Sequence, residues 1–371
     1  FLTFRSEFNI PLSQITSLVT INFLFQLFID IVCAKVVDKI GYHKCIVAAQ
    51  FFSAIGIAGM GILPDLLPNP YIGLLASILL YATGGGLIEV LVSPIVEACP
   101  IKNKKAAMSL LHSFYCWGHL FVVLASTLFF AVFGIASWRY LAFIWAVIPF
   151  VNGFYFMGVP ITTLTTEDDK MSLKSLFTSK QFLLFMLIMV CSGASEQGMS
   201  QWASTFAEAG LNVSKTVGDL AGPSLFAITM GTSRVIYSKI SEKVDLSKYM
   251  TVCATLCIIA YAMATFLKNP VLSFVGCALC GFSVGVMWPG SFSLASESFP
   301  KGGTAMFAIL ALAGDFGCSF GPTVVGFATS LLDENIKKGV FAAVIFPILL
   351  IISLFFMKKL QTKSRKLDKE L

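Results

Sequence analysis

The chain has 371 residues, is 57% hydrophobic and only 12% charged, and has a mean hydropathy of +0.84, whereas soluble domains carry about 25% charged residues. Apolar segments recur along the whole length, which excludes a water-soluble fold built on one core. The formal charge of +6 calls for no nucleic-acid partner, and the three His and ten Cys show no zinc spacing. Cys277 and Cys280 form a C-x-x-C, but inside an apolar run and without the further ligands a metal site needs. All ten Cys lie in or beside apolar runs, so no extracellular disulfide framework is implied. No metal and no cofactor are expected.

A bilayer core of roughly 30 Å needs about 20 apolar residues per helix. Eleven spans are predicted, at about 13–34, 45–63, 71–98, 106–134, 138–159, 181–209, 216–237, 249–267, 270–296, 304–331 and 339–357. Runs this long satisfy their backbone in lipid only as helices. The longest polar connection, 160–180, holds Glu167, Asp168 and Asp169 and separates a bundle over 1–159 from one over 181–357, followed by a basic tail at 358–371. Placing Lys102, Lys104 and Lys105 in the cytoplasm and alternating leaves only Arg5, Arg139, Lys215, Lys268, Lys337 and Lys338 of the 26 Lys and Arg outside. By the positive-inside rule this predicts a cytoplasmic C-terminus.

An internal repeat divides the chain in the same place. Ala34-x3-Asp38-Lys39-x-Gly41-x2-Lys44 follows the first span, and Ser238-x3-Glu242-Lys243-x-Asp245-x2-Lys248 follows the seventh, 204 residues on. Glu97-x-x-Pro100 ends the third span and Glu297-x-x-Pro300 the ninth, 200 residues on. This register pairs the first visible span with the seventh and leaves the sixth without a partner. It predicts a further helix of roughly 20 residues ahead of the visible chain, hence six helices plus six; the alternative is an eleven-helix protein.

The segment around Asp38, Lys39, Gly41 and Lys44 resembles the loop signature G-x3-D-[RK]-x-G-x-[RK]-[RK] of the major facilitator superfamily, with Ala34 in place of the first glycine. Gly84-Gly85-Gly86-Leu87-Ile88-Glu89, His112 to Gly118 (HSFYCWG) and Glu196 to Trp202 (EQGMSQW) resemble its fucose permease branch of sugar–proton symporters. The resemblance implies an all-α membrane protein of the major facilitator fold: two six-helix bundles, with the first helix absent and eleven helices visible. It also implies a cytoplasmic gate at Asp38, Lys39, Gly41 and Lys44, with Glu242 and Lys243 at the equivalent position of the second half.

Ionisable groups at membrane depth are costly, about 2.5–3.5 kcal/mol for Asp at a helix centre on insertion scales, and are functional candidates by default. Glu89 lies two helical turns from Glu97, near mid-depth, on one face with Ser93. It is a candidate for the coupling proton and for substrate hydroxyls; the alternative is a structural, protonated Glu. Asp315 shares a face with Ser319 and Thr323 and, like Glu196, is either a protonation site or an interhelical tie. Gln197, Gln201 and Trp202 present amides and a flat indole, the set that binds a sugar ring, or else interhelical polar contacts. Gly193 and Gly198 beside them would allow a helix break. Asn22, Gln26 and Asp30 form one stripe and His112, Tyr115 and His119 another; Asn22, Gln26, His112 and Tyr115 are substrate candidates. Trp288-Pro289 is a flexible gate or a packed kink. Arg234 stands where the repeat places Asp30, with opposite sign, and the spacing gives no reason for it. The Gly84–Gly86 run lacks the Lys-Ser/Thr of a phosphate loop and reads as close helix packing. Asn212-Val213-Ser214 fits a glycosylation acceptor.

The expected function is secondary active transport without enzymatic activity. The leading form is proton-coupled uptake of a sugar or similar small polar solute by alternating access in the plasma membrane. A monomer is expected, with the bilayer, the solute and protons as partners. Two alternatives are a proton-coupled drug efflux antiporter and a non-transporting receptor on the same fold. The antiporter class usually carries a glycine–proline motif in the span at 106–134, which holds only Gly118; the similar Gly317-x3-Gly321-Pro322-x3-Gly326 lies at 304–331 instead.

Overall fold

The computed structural model describes residues 2–164, 171–203, 215–333 and 335–370. Among the described residues every regular element is helical. In chain order these are α1 (Leu2–Phe8), α2 (Leu12–Ile40), α3 (Tyr42–Met60), α4 (Leu63–Leu66), α5 (Pro70–Ala98), α6 (Lys104–Phe133), α7 (Trp138–Met157), α8 (Leu173–Thr178) and α9 (Lys180–Ser200). They continue as α10 (Lys215–Ile240), α11 (Leu246–Phe266), α12 (Pro270–Val284), α13 (Met287–Ser298), α14 (Gly303–Leu331), α15 (Ile336–Ala342) and α16 (Ile345–Glu370). Each predicted span is helical over most of its described residues. Ten spans among those residues are long and apolar enough to cross a membrane, so the chain is an integral, multi-pass membrane protein.

Local chemistry sets the helix ends. Asn69 caps α5 by accepting from the Tyr71 N–H, and Asn269 caps α12 by accepting from Val271 and Leu272. In both, a proline follows at the first helical position, where its missing N–H costs nothing. These Asn-Pro pairs stand 200 residues apart, the offset of Glu97 and Glu297. Asp245 caps α11 and Asn335 caps α15 in the same way. Between α2 and α3 the chain turns on Gly41 at φ +95°, a conformation that L side chains rarely adopt.

Four features depart from expectation, the first being that the span at 339–357 is divided into α15 and α16 at Ala343–Val344. The span at 270–296 is two helices, broken at Gly285–Val286. The polar connection at 160–180 contains α8, capped by Ser172. The span at 181–209 is continuous through Gly193 and Gly198 as far as Ser200, so neither glycine breaks it, and residues 204–214 with Asn212 lie outside the described residues.

Two compact units form. The first comprises Phe1–Cys99, Phe121–Lys170 and Gly303–Ile309; the second comprises Pro100–Leu120, Met171–Gly302 and Leu310–Leu371. In the first, α3 is packed between α5 and α7. A Cβ on Gly84 would collide with Ser53 and Ala49 of α3, and one on Gly86 would press on Ile29 of α2, so the glycine run brings backbones together. At one end of this unit Arg139 binds Glu7 of α1 and Asp65 of α4, and the Trp138 indole N–H donates to Glu7 at 2.6 Å. In the second unit Phe182, Phe185, Phe226, Tyr237, Tyr261 and Phe292 are fully buried. A seam of glycines joins α9 to α14: a side chain at Gly193 would strike α14, and side chains at Gly317 and Gly321 would strike the backbone of α9 at Val190 and Ala194.

Candidate functional site

In the first unit the polar stripe of α2 faces α5. Gln26 donates its side-chain amide to a Glu89 carboxylate oxygen in a short hydrogen bond. Asp30, one turn further, is fully buried, and its Oδ1 lies 3.6 Å from the point a Cβ of Gly86 would occupy. Gly86 makes room for Ile29, whose side chain comes within 2.9 Å of that point. Asn22 is half-buried, and its Oδ1 has no hydrogen-bond partner among the described residues. Helical periodicity places these three side chains on one face of α2, and Glu89 meets Gln26 from α5.

In the second unit the polar centre is Arg234 of α10, only 3% exposed. Its Nη2 lies 3.5 Å from the Glu196 carboxylate of α9. Its Nε donates to the Gly285 carbonyl at 2.7 Å, and its Nη1 to the His112 carbonyl of α6 at 2.7 Å, with Cys116 Sγ at 3.3 Å. Ser109 returns a hydrogen bond to the Arg234 carbonyl at 2.8 Å. A guanidinium has five donors in a fixed fork, which suits one residue to several acceptors on different helices. The His112 ring stacks on Phe292 of α13 at 5.8 Å, and Phe292 in turn meets Trp288 edge-on at 6.2 Å. The Trp288 indole fills the space beside Gly314, next to Asp315, which is half-buried.

The remaining predicted residues are spread more widely. The Trp202 indole N–H donates to the Pro322 carbonyl of α14 at 3.1 Å. Gln197 is half-buried on α9, and Gln201 is exposed just past its end. Tyr115 is exposed and stacks on His119 at 6.4 Å rather than on His112.

At the basic ends of the helices, Asp38 accepts from the Thr304 hydroxyl, and Tyr42 bonds the same hydroxyl at 2.5 Å. Thr304 opens α14, so the carboxylate also meets the positive end of that helix. Lys39 and Lys44 are exposed, as are Glu242 and Lys243. In the second unit Lys105 pairs with Glu297 at 2.7 Å, and Asn103 donates to Ser241 at 2.9 Å. Thr304, Tyr42 and Lys105 carry no signal in the motif spacing, because their partners lie far away in the chain. Arg234 signalled itself as a charge inside an apolar span, but its partners lie on α6, on α9 and at the α12–α13 break.

The family model described as Major Facilitator Superfamily matches residues 1–322. A comparison with curated sequences returns no match. Among solved structures, a variant of the Escherichia coli fucose:proton symporter FucP aligns at TM-score 0.79 and 14% identity, covering 93% of this chain and 91% of that one. The proton:xylose symporter XylE aligns at TM-score 0.78 and 15% identity, covering 96% and 90%. A bacterial homologue of the iron transporter ferroportin aligns at TM-score 0.70 and 14% identity, covering 94% and 91%. At such identities the structural likeness shows the fold, and the family match over most of the chain shows the membership: this chain belongs to the major facilitator superfamily of membrane transporters.

Proposed function

We propose that the chain takes up a sugar or related small polar solute together with protons, by alternating access of the bundles at 1–159 and 181–357 across the plasma membrane, with its C-terminus in the cytoplasm. The observation that carries this reading is the Gln26–Glu89 pair. The Gln26 amide gives the Glu89 carboxylate a neutral partner, and the two groups together offer a hydroxylated solute both donors and acceptors. Glu89 is the proposed coupling site, with Asp315 and Glu196 as further candidates. Asn22, Gln26, His112, Tyr115, Gln197, Gln201, Trp202 and Trp288 are the proposed solute contacts. Asp38, Lys39, Gly41, Lys44, Glu242 and Lys243 form the proposed cytoplasmic gate. The sugar symporters FucP and XylE, which share the fold, support the solute class.

The test is reconstitution into proteoliposomes under an imposed pH gradient, screening neutral sugars and polyols first and lipophilic cations second. Gradient-driven accumulation of a sugar supports the reading. Flux of lipophilic cations alone, or solute binding with no flux, overturns it.

A further inference from the structure

The inversion of charge between the repeats has a structural cause. The offset of 200 that relates Asn69 to Asn269 and Glu97 to Glu297 also relates Gly85 to Gly285 and Glu89 to Pro289. In the first half the helix runs unbroken through this point as α5, and in the second it breaks between α12 and α13. The break keeps helical register: the Gly290 N–H donates to the Val286 carbonyl at 2.8 Å, four residues back. The next donor toward the N-terminus would be residue 289 to the Gly285 carbonyl, but proline has no N–H. Gly285 would be left with a carbonyl and no helical partner inside a buried helix, which is costly in lipid.

We infer that Arg234 is the positioning residue of this break, with its guanidinium replacing the backbone donor that Pro289 lacks. Its Nε lies 2.7 Å from the Gly285 oxygen. The rest of the fork binds His112 on α6 and Glu196 on α9, so one side chain fixes the break against two other helices. An acid at this place would meet a carbonyl with a second acceptor, so the second half carries Arg where the first carries Asp30. The clamp sets the direction of α13 and hence of Trp288 and Phe292, which pack against Gly314 and His112. Its bearing on transport rests on the function proposed above; its geometry does not.

A double-mutant cycle over Arg234→Lys and Pro289→Ala tests the clamp in the detergent-solubilised full chain without reading solute flux, so a failed transport assay leaves the result intact. Lysine keeps the charge beside Glu196, but its single ammonium cannot span acceptors on two helices and at the break. Alanine in place of Pro289 restores an N–H in register with Gly285. Hydrogen exchange of the amides from Gly290 to Leu294 is the measurement. R234K in the parent background should speed exchange about tenfold, as loss of a buried hydrogen bond does; in the P289A background the change should stay under about twofold. Suppression by P289A is a result that general loosening of the core would not give. If R234K fails to fold with Pro289 present but folds when combined with P289A, the clamp stands. Equal effects in both backgrounds, no effect in either, or failure to fold in both would overturn it.

Discussion

Gln26 and Glu89 meet as amide and carboxylate, whereas Glu196 meets the guanidinium of Arg234. The two acids therefore differ in what a proton would do. On Glu89 it changes the hydrogen bond with Gln26; on Glu196 it leaves a buried cation without its counter-ion. Glu89→Gln should separate proton coupling from solute binding. With one proton per solute, a gradient of one pH unit supports about tenfold accumulation in the parent. The variant should reach an inside-to-outside ratio near one while still exchanging labelled for unlabelled solute. Accumulation equal to the parent would show that Glu89 does not couple.

Glu196→Gln should act on stability. Removing one partner of a buried pair costs about 3–5 kcal/mol because the other charge remains. Thermal unfolding in detergent should show a large fall for Glu196→Gln and for Arg234→Gln singly. The double variant should lose less than the sum of the two, since it leaves no unpaired charge behind.

Thr304 links Asp38 and Tyr42 at the start of α14. Thr304→Val keeps the shape but removes the hydroxyl, at a cost of about 1–3 kcal/mol for polar partners that lose a bond. A cysteine placed at Lys39 should then react faster with a water-soluble maleimide, while Thr304→Ser should react as the parent does.

Trp202 has its indole N–H committed to Pro322. Trp202→Phe keeps a flat ring and loses about 1 kcal/mol of hydrogen bonding. If the ring carries solute stacking, the phenylalanine variant should keep KM within about threefold and the alanine variant should raise it by about tenfold or more, the range expected for aromatic contact energies. Equal KM in all three would remove Trp202 from the solute site.

Much of the fold was legible because lipid imposes a length on every helix. Runs such as 70–98 and 304–331 announce themselves by composition alone, and the Asp38 and Glu297 motifs place the repeat. The break at Gly285–Val286 was harder to read, since Trp288-Pro289 fits a packed kink as well as a gate and no spacing shows which carbonyl loses its donor. Arg234 was visible as an anomaly only. Its explanation needed four segments, at 112, 196, 234 and 285, brought together by folding. The Asn69–Pro70 and Asn269–Pro270 pairs could have been read from the same register, and they extend the repeat to the opposite helix ends.

The glycine seam between α9 and α14 bears on how mutational maps of this protein will look. Where backbones touch, even a methyl group is too large at Gly193, Gly317 or Gly321. A saturation scan should therefore draw a ladder of intolerant positions three or four residues apart along α14, with the same profile as a binding site but set by backbone contact. Tolerance to alanine is the discriminator: a contact residue usually survives truncation in part, whereas a rung of this ladder rejects alanine as firmly as it rejects leucine.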